Sequence, residues 1–510
     1  MARKANANAN ARRQKKLKEE QQRKQKHRQK QKATHASEIR KLFNWLLPAN
    51  RIFHELKLHG NTTWTPITLV CLALCWAWAE KKYVTDAFDY GSDWCRSLAD
   101  GTVLSTYQGL MYALERHTET LMKILWQIVH QRMKEIGGEH WETEGWVVIA
   151  FDGSRDATPR TKANEAAFCA PNYGKGKTAK FRQKKTKGMR RTNNEKNRPA
   201  NPRPNVWITL MWHVGMRLPW MWRLGPSNSS ERGDVMAMLD EGEFPENTLF
   251  CGDAGFVGYE LWSAMVCKGH HFLVRVGANV SLLTELADCS LDKGKMIVMS
   301  WPQEAIKAGR PPLRLRLVKV RVGKTWMWLL SSVLDQNKLN VKQLRNIYKQ
   351  RWGIEVEFRG LKQTLDKAEL RCRNEVRIRT ELHWSLMAMT IAELFALKVQ
   401  LGDPPAACQL KLPSPTVELL SIPQKRSLAE AVRALRWSLN HLHETPSVGQ
   451  SLPAKLWGAR TDSYNRKGSK AARYRPPNPD KKPLGEPKIR LLTAKEKIKL
   501  NAFNTTKTTA

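Results

Sequence analysis

Between Leu344 and Leu365 the chain spaces Tyr348, Arg351, Glu355 and Lys362 so that, at about 100° per residue, all four fall within about 60° of one helix face. Ile347, Ile354, Phe358, Leu361 and Leu365 lie beside that stripe, so the helix is expected to pack by one side and hold Glu355 among cationic groups at the edge of the packing. Arg and Lys suit phosphate by charge and donor geometry, and Tyr suits it by its hydroxyl. Two aspartates stand upstream at matching intervals. Asp152 closes the apolar run Val147-Val-Ile-Ala-Phe151, Asp253 closes the run that begins at Thr248, and the steps from Asp152 to Asp253 and from Asp253 to Glu355 are 101 and 102 residues. Each feature also has a plainer reading. An amphipathic helix carries solvated Glu, Arg and Lys, and an Asp beside Gly after a strand commonly makes only a turn.

Written out, Tyr348-Lys-Gln-Arg351-Trp-Gly-Ile-Glu355-Val-Glu-Phe-Arg-Gly-Leu-Lys362-Gln resembles the Tyr-Arg-Glu-Lys signature of the insertion-sequence-4 family of bacterial DDE transposases. The resemblance covers roughly residues 145–400. It implies an α/β protein with an RNase H-like catalytic core and a β-rich insertion between the second aspartate and the glutamate, plus an all-helical N-terminal region and a helical C-terminal region. Carried onto this chain, it makes Asp152, Asp253 and Glu355 the catalytic carboxylates and the ligands of Mg²⁺, with Mn²⁺ able to substitute. It makes Tyr348, Arg351 and Lys362 the residues that hold DNA phosphates near the cut. The chemistry needs such a set. Hydrolysis of DNA and attack by a 3′-OH are both in-line displacements at phosphorus, and two hard cations roughly 3.5–4 Å apart stabilise the attacking and leaving oxygens.

The implied activity is cut-and-paste transposition: binding of the element's terminal inverted repeats in double-stranded DNA, metal-dependent strand cleavage, and transfer to target DNA by a homodimer in a synaptic complex. Relatives of this kind release the element through a DNA hairpin, with an aromatic residue of the insertion stacked on a flipped base. Trp326 and Trp328, at i and i+2 of an expected strand, are the candidates here, and burial of both in the core is the alternative. A non-catalytic DNA-binding protein derived from a transposase is the second reading of the whole chain. A structural RNA-binding protein is a third, which would leave the acidic triad unexplained.

Positioning these residues requires several elements. Residues 1–36, rich in Lys, Arg, Gln and Asn, bury no core and are expected to be a disordered basic arm. Residues 37–140 carry helical periodicity and read as a DNA-end-binding domain. From Trp146 the texture becomes strands alternating with helices, the pattern of an α/β sheet, so residues 141–276 are expected to hold the first part of the core. Residues 277–335 read as the β insertion, 336–400 as the catalytic-helix part of the core, 401–454 as a helical region and 455–510 as a basic tail. One continuous helix is expected from Val341 to about Thr364.

Charge narrows the partner. The 510 residues hold 86 Lys+Arg against 47 Asp+Glu, a net +39, and 33 of those charges sit in residues 1–40, 171–205 and 455–510, +11 in each. Three such segments, one of them internal, point to a polyanion such as DNA. A hydrophobic content of 41% over this length excludes a wholly disordered chain and predicts two to four domains. The nine cysteines form no Cys-x-x-Cys pair and suggest a reducing compartment, so a cytoplasmic, nucleoid-associated bacterial protein is expected. Ile67–Ala79, the best candidate for a membrane segment, is too short to span, and no membrane partner is expected.

Overall fold

Val147 to Phe151 offer no polar side chain to water, and in the computed structural model all five are wholly buried within a ten-stranded mixed sheet. The structure describes residues 34–47, 58–99, 101–169, 204–285, 295–322, 325–403, 422–447, 449–460 and 484–508, with positions 53, 56 and 405. The expected arm up to residue 33, the basic loop from 170 to 203 and the tail segment 461–483 lie outside the described residues.

Four helices come first: α1 (His35–Leu46), α2 (Pro66–Trp78), α3 (Val84–Leu98) and α4 (Tyr107–Gly137). Thr34, Thr65 and Thr106 cap α1, α2 and α4, each accepting a backbone N–H three residues on. The sheet follows. β1 (Val147–Ala157) leads to the short α5 (Lys162–Phe168), then β2 (Asn205–His213), β3 (Leu218–Gly225), α6 (Glu231–Glu241), β4 (Thr248–Gly252), α7 (Tyr259–Cys267) and β5 (His271–Val276). β6 (Ser281–Thr284), β7 (Lys295–Ser300), α8 (Gln303–Lys307), β8 (Leu313–Val322) and β9 (Thr325–Ser331) come next. The order across the sheet is β10-β6-β7-β8-β9-β5-β4-β1-β2-β3, where β10 is Lys488–Leu491. β1, β4 and β5 run parallel, while β2 and β3 are antiparallel additions beside β1.

The chain then forms α9 (Val341–Gln350), α10 (Gly353–Gln363), α11 (Glu375–Leu401), α12 (Ile422–Lys425), α13 (Leu428–Asn440), α14 (Leu452–Trp457) and, after β10, α15 (Ala494–Thr508). α11 is long and apolar enough to cross a membrane by length and composition, but its apolar window is 83% buried inside the protein. It ties the N-terminal helices to the rest. Trp78 Nε1 donates to the Ala388 carbonyl at 2.9 Å and Trp384 Nε1 to Thr118 Oγ1 at 3.0 Å, so each large buried ring keeps its polar atom satisfied.

Four features depart from the sequence expectations. β1 does not stop at Asp152 but continues to Ala157, because β2 pairs with it along that whole stretch, Asp152 opposite Leu210. The expected single helix is broken at Arg351 and Trp352. Gly353 there packs against Trp212 of β2 so closely that a Cβ would lie 2.9 Å from both Cζ2 and Cζ3 of the indole. The strands of 277–335 extend the main sheet, since β9 pairs with β5. Residues 484–508 of the expected tail are folded, with β10 parallel to β6 and Trp301 and Phe503 ring centroids 5.9 Å apart.

Candidate active site

The parallel ladder between β1 and β4 ends at Ala150 and Cys251. Beyond it the strands diverge: β1 runs on beside β2, and β4 ends at Gly252. Asp152 and Asp253 both stand two residues past that last pair, so the register of one parallel ladder sets them side by side at an opening of the sheet. Each carboxylate is braced locally. Asp152 Oδ1 accepts the Gly153 N–H at 2.8 Å, and Asp253 Oδ1 accepts the Gly255 N–H at 2.7 Å. Both keep their second oxygen for other work.

Glu355 arrives from the other side, in the first turn of α10, and Arg351 lies between. Its Nη1 is 3.5 Å from Asp152 Oδ2 and its Nη2 is 3.8 Å from Glu355 Oε1. The guanidinium is only 8% exposed, and Nε and Nη1 make no hydrogen bond. A buried cation with unfilled donors, set between two acids, is poised to take an anion. Burial pushes both Asp152 and Glu355 above the usual carboxylate range, Arg351 opposes that rise, and Asp253 reinforces it.

The remaining stripe residues have different surroundings. Tyr348 is buried, pushed up to about 12 by burial, and lies under Arg351, whose guanidinium carbon is 5.5 Å from the ring centroid. It supports the arginine by a cation–π contact. Lys362 reaches back to β1, where Nζ donates to Ser154 Oγ at 2.7 Å and to the Arg155 carbonyl at 2.9 Å, and lies 3.3 Å from Asp156 Oδ1. Asp156 is fully buried, and among the described residues Lys362 is the cation that faces it. Burial pushes Asp156 up to about 6 despite Lys362. Between β1 and α10 lies a cleft of about 390 Å³ lined by Asp152, Ser154, Glu355, Phe358, Arg359 and Lys362. Asp152, Glu355 and Lys362 therefore share one cleft, and Asp253 adjoins Asp152.

Trp326 and Trp328 part company. Paired with Arg321 and Lys319 across β8, both face the same side of the sheet, but Trp326 is 60% exposed and Trp328 only 6%. Lys319 lies over the Trp328 ring at 5.1 Å and pairs with Glu486 at 3.0 Å, so the folded C-terminal segment covers that tryptophan, as the alternative of core burial expects for Trp328, while Trp326 stays open to solvent.

Two acids escaped the sequence reading. Asp156 had a signal, since Asp152, Ser154 and Asp156 alternate and so share a strand face once β1 is known to continue. Glu231, first residue of α6, had none. Burial, and then Asp152 and Asp253, push it up to about 7. Among the described residues no group of three or more His, Cys, Asp or Glu side chains stands close enough together to hold a metal ion as the side chains now lie. The donor chemistry nonetheless fits a hard divalent cation: carboxylates gather at one opening, Asp152 and Glu355 held above the usual range chiefly by burial, with Arg351 as an interim counter-charge.

Comparison with known proteins gives the following. The family described as Transposase DDE domain matches residues 146–391, a span that holds Asp152, Asp253, Glu355 and the rest of the stripe. Transposase InsG for insertion sequence element IS4, from Escherichia coli strain K12, is 23% identical over 270 residues, 51% of this chain and 54% of that protein. The chain thus spans about half the length of this curated relative. The cryo-electron-microscopy structure of a piggyBac transposase synaptic complex with hairpin DNA aligns at 13% identity with a TM-score of 0.33, over 78% of this chain and 81% of its own.

Proposed function

We propose that the chain is a DDE transposase of insertion-sequence-4 type that binds the ends of its own element and performs metal-dependent cleavage and strand transfer of DNA, a reading supported by the match of residues 146–391 to the Transposase DDE domain and by the likeness to the IS4 transposase. The observation that carries this reading is the convergence of Asp152, Asp253 and Glu355, from two strand ends and one helix turn, around the under-hydrogen-bonded guanidinium of Arg351. The strand order β3-β2-β1-β4-β5, with β1, β4 and β5 parallel, supports an RNase H-like core, extended by β6 to β9 as the insertion.

Asp152, Asp253 and Glu355 would hold Mg²⁺, with Mn²⁺ able to replace it, and the bound cations supply charge neutralisation at the reacting phosphate and a water or 3′-OH activated as nucleophile. The chain's own residues do the rest. Arg351 donates to a non-bridging phosphate oxygen through the nitrogens it leaves unfilled, and in doing so releases Asp152 and Glu355 from their ion pairs. Tyr348 backs the guanidinium with its ring through the cation–π contact. Lys362 adds positive charge to the far end of the cleft, anchored on Ser154 and Asp156. The net charge of +39 favours approach to DNA. A homodimer pairing two element ends, at work on the nucleoid in the cytoplasm, completes the proposal.

The experiment is direct. Full-length protein is incubated with double-stranded DNA carrying the repeats that flank its reading frame, with Mg²⁺, Mn²⁺ or chelator, and products are resolved on denaturing gels. Nicks at the repeat ends and joined target products, both dependent on the metal, are expected. End binding with no cleavage under any metal would favour the non-catalytic DNA-binding reading instead.

A further inference from the structure

A fourth acid stands at the same opening, on an element that contributes nothing else to it. Ser230 caps α6, its Oγ accepting the Gly233 N–H at 3.3 Å, and Glu231 follows as the first helical residue. The start of the helix is fixed from two sides. Arg232 Nη1 donates to the Val257 carbonyl at 2.8 Å, tying it to the loop after β4, and Asp234 Oδ2 accepts from Thr209 Oγ1 at 2.7 Å, tying it to β2. The Glu231 side chain is thereby laid across the two strand ends.

Its carboxylate rests on Gly153, the residue after Asp152. A Cβ there would overlap Oε1 and lie 2.8 Å from Cδ, so any larger residue at 153 would expel it. On the other side, a Cβ at Gly255 would lie 3.7 Å from Glu231 Oε2 and 3.0 Å from Asp253 Oδ1, which puts Glu231 and Asp253 over the same glycine. Among the described residues Glu231 forms no ion pair and accepts no hydrogen bond. Arg155, the cation that acts on it, is 4.2 Å from the Trp207 ring, stacked there. A half-buried carboxylate held beside two others, without a cationic partner, is costly unless a cation completes the group.

We propose that Glu231 is a fourth carboxylate of the divalent-metal site, acting on the ion held by Asp152 and Asp253. This rests on the reading of those aspartates as metal carboxylates. It also gives Gly153 a role, since only glycine leaves the space the Glu231 carboxylate occupies. Acids around a bound metal, whether they touch the ion or orient its ligands, commonly change affinity by about 10–100-fold when removed.

The test is Mn²⁺ binding to the full-length protein, without DNA, by isothermal titration and by the electron paramagnetic resonance of free Mn²⁺. Glu231→Gln is isosteric and is expected to weaken binding by about 10–100-fold. Asp152→Asn reports on the underlying site and is expected to weaken it at least as much. Glu241→Gln, at the far end of the same helix where the acid pairs with Arg223, is expected to bind as the parent does. Thermal unfolding of each variant without metal confirms that the fold is retained. Parent-like binding by Glu231→Gln beside a weakened Asp152→Asn overturns the role of Glu231 alone. Parent-like binding by Asp152→Asn overturns the metal-site reading and this inference with it. An equal loss in Glu241→Gln reduces the effect to net charge and overturns the inference too.

Discussion

Asp156→Asn should make the protein more stable at neutral pH and less able to use Lys362. The carboxyl of Asp156 is fully buried on β1 and is raised from 3.8 to about 6, first by burial and against the opposing pull of Lys362. The folded state therefore binds this proton more tightly than the unfolded state. The stability that the protonated acid contributes is complete below about pH 4 and is lost as the pH rises through about 6. A rise of about 2 units at about 1.4 kcal/mol each puts the cost of the ionised group at about 3 kcal/mol by pH 8. Asparagine cannot ionise and removes that cost, so the variant's advantage should be near zero at pH 4 and grow to at most about 3 kcal/mol at pH 8. Urea unfolding followed by tryptophan emission, run on parent and variant at half-unit pH steps, measures the difference. Lys362 would lose its counter-charge in the variant, so weaker end binding should accompany the gain. A stability difference independent of pH, or a variant less stable than the parent at pH 8, would refute the reasoning.

Three other expectations concern different parts of the chain. Deleting residues 1–36 removes 13 Lys/Arg and 2 acids but no core, so affinity for element ends should depend less steeply on log salt, and unchanged slopes would show that the arm does not touch phosphate. Arg426→Met should lower stability by about 3–5 kcal/mol in urea titration, because Arg426 donates to the carbonyls of Met216 and Arg217 and pairs with the buried Glu393 at 3.2 Å. Trp328→Ala should reduce stability by about 3–5 kcal/mol, whereas Trp326→Ala should change it by no more than about 0.5 kcal/mol and slow a late step on DNA relative to the first nick. Equal destabilisation by the two tryptophan changes would contradict their different burial.

Much of the site was legible because its signals are local. The apolar run Val147 to Phe151 announces a strand buried on both faces, and the helical spacing of Tyr348, Arg351, Glu355 and Lys362 survives the break, because Arg351 and Trp352 keep right-handed helical dihedrals through it. The break itself depends on Trp212, more than a hundred residues away, whose ring fills the space at Gly353. No window of sequence around Gly353 contains that information. The extent of β1 was hidden for a similar reason: Gly153 and Ser154 read as a turn, and only pairing with Ile208 and Thr209 of β2 holds them extended. Glu231 was out of reach entirely, since its role depends on how α6 meets two strand ends. The C-terminal strand was obscured by charge, as Ile489 and Leu492 are sparse among lysines and arginines, yet pairing with β6 satisfies their backbone.

The central claim is that Asp152, Asp253 and Glu355 perform metal-dependent chemistry on DNA. Parent, Asp152→Asn, Asp253→Asn and Glu355→Gln should be compared for Mg²⁺-dependent strand cleavage and, on the same DNA, for end binding by mobility shift. Each variant keeps side-chain shape and loses one charge, so each should bind ends close to the parent and cleave at least about a hundredfold more slowly, a loss of roughly 2.7 kcal/mol or more in transition-state stabilisation. Near-parent cleavage by any one of the three would remove that residue from the site, and near-parent cleavage by all three would contradict the account.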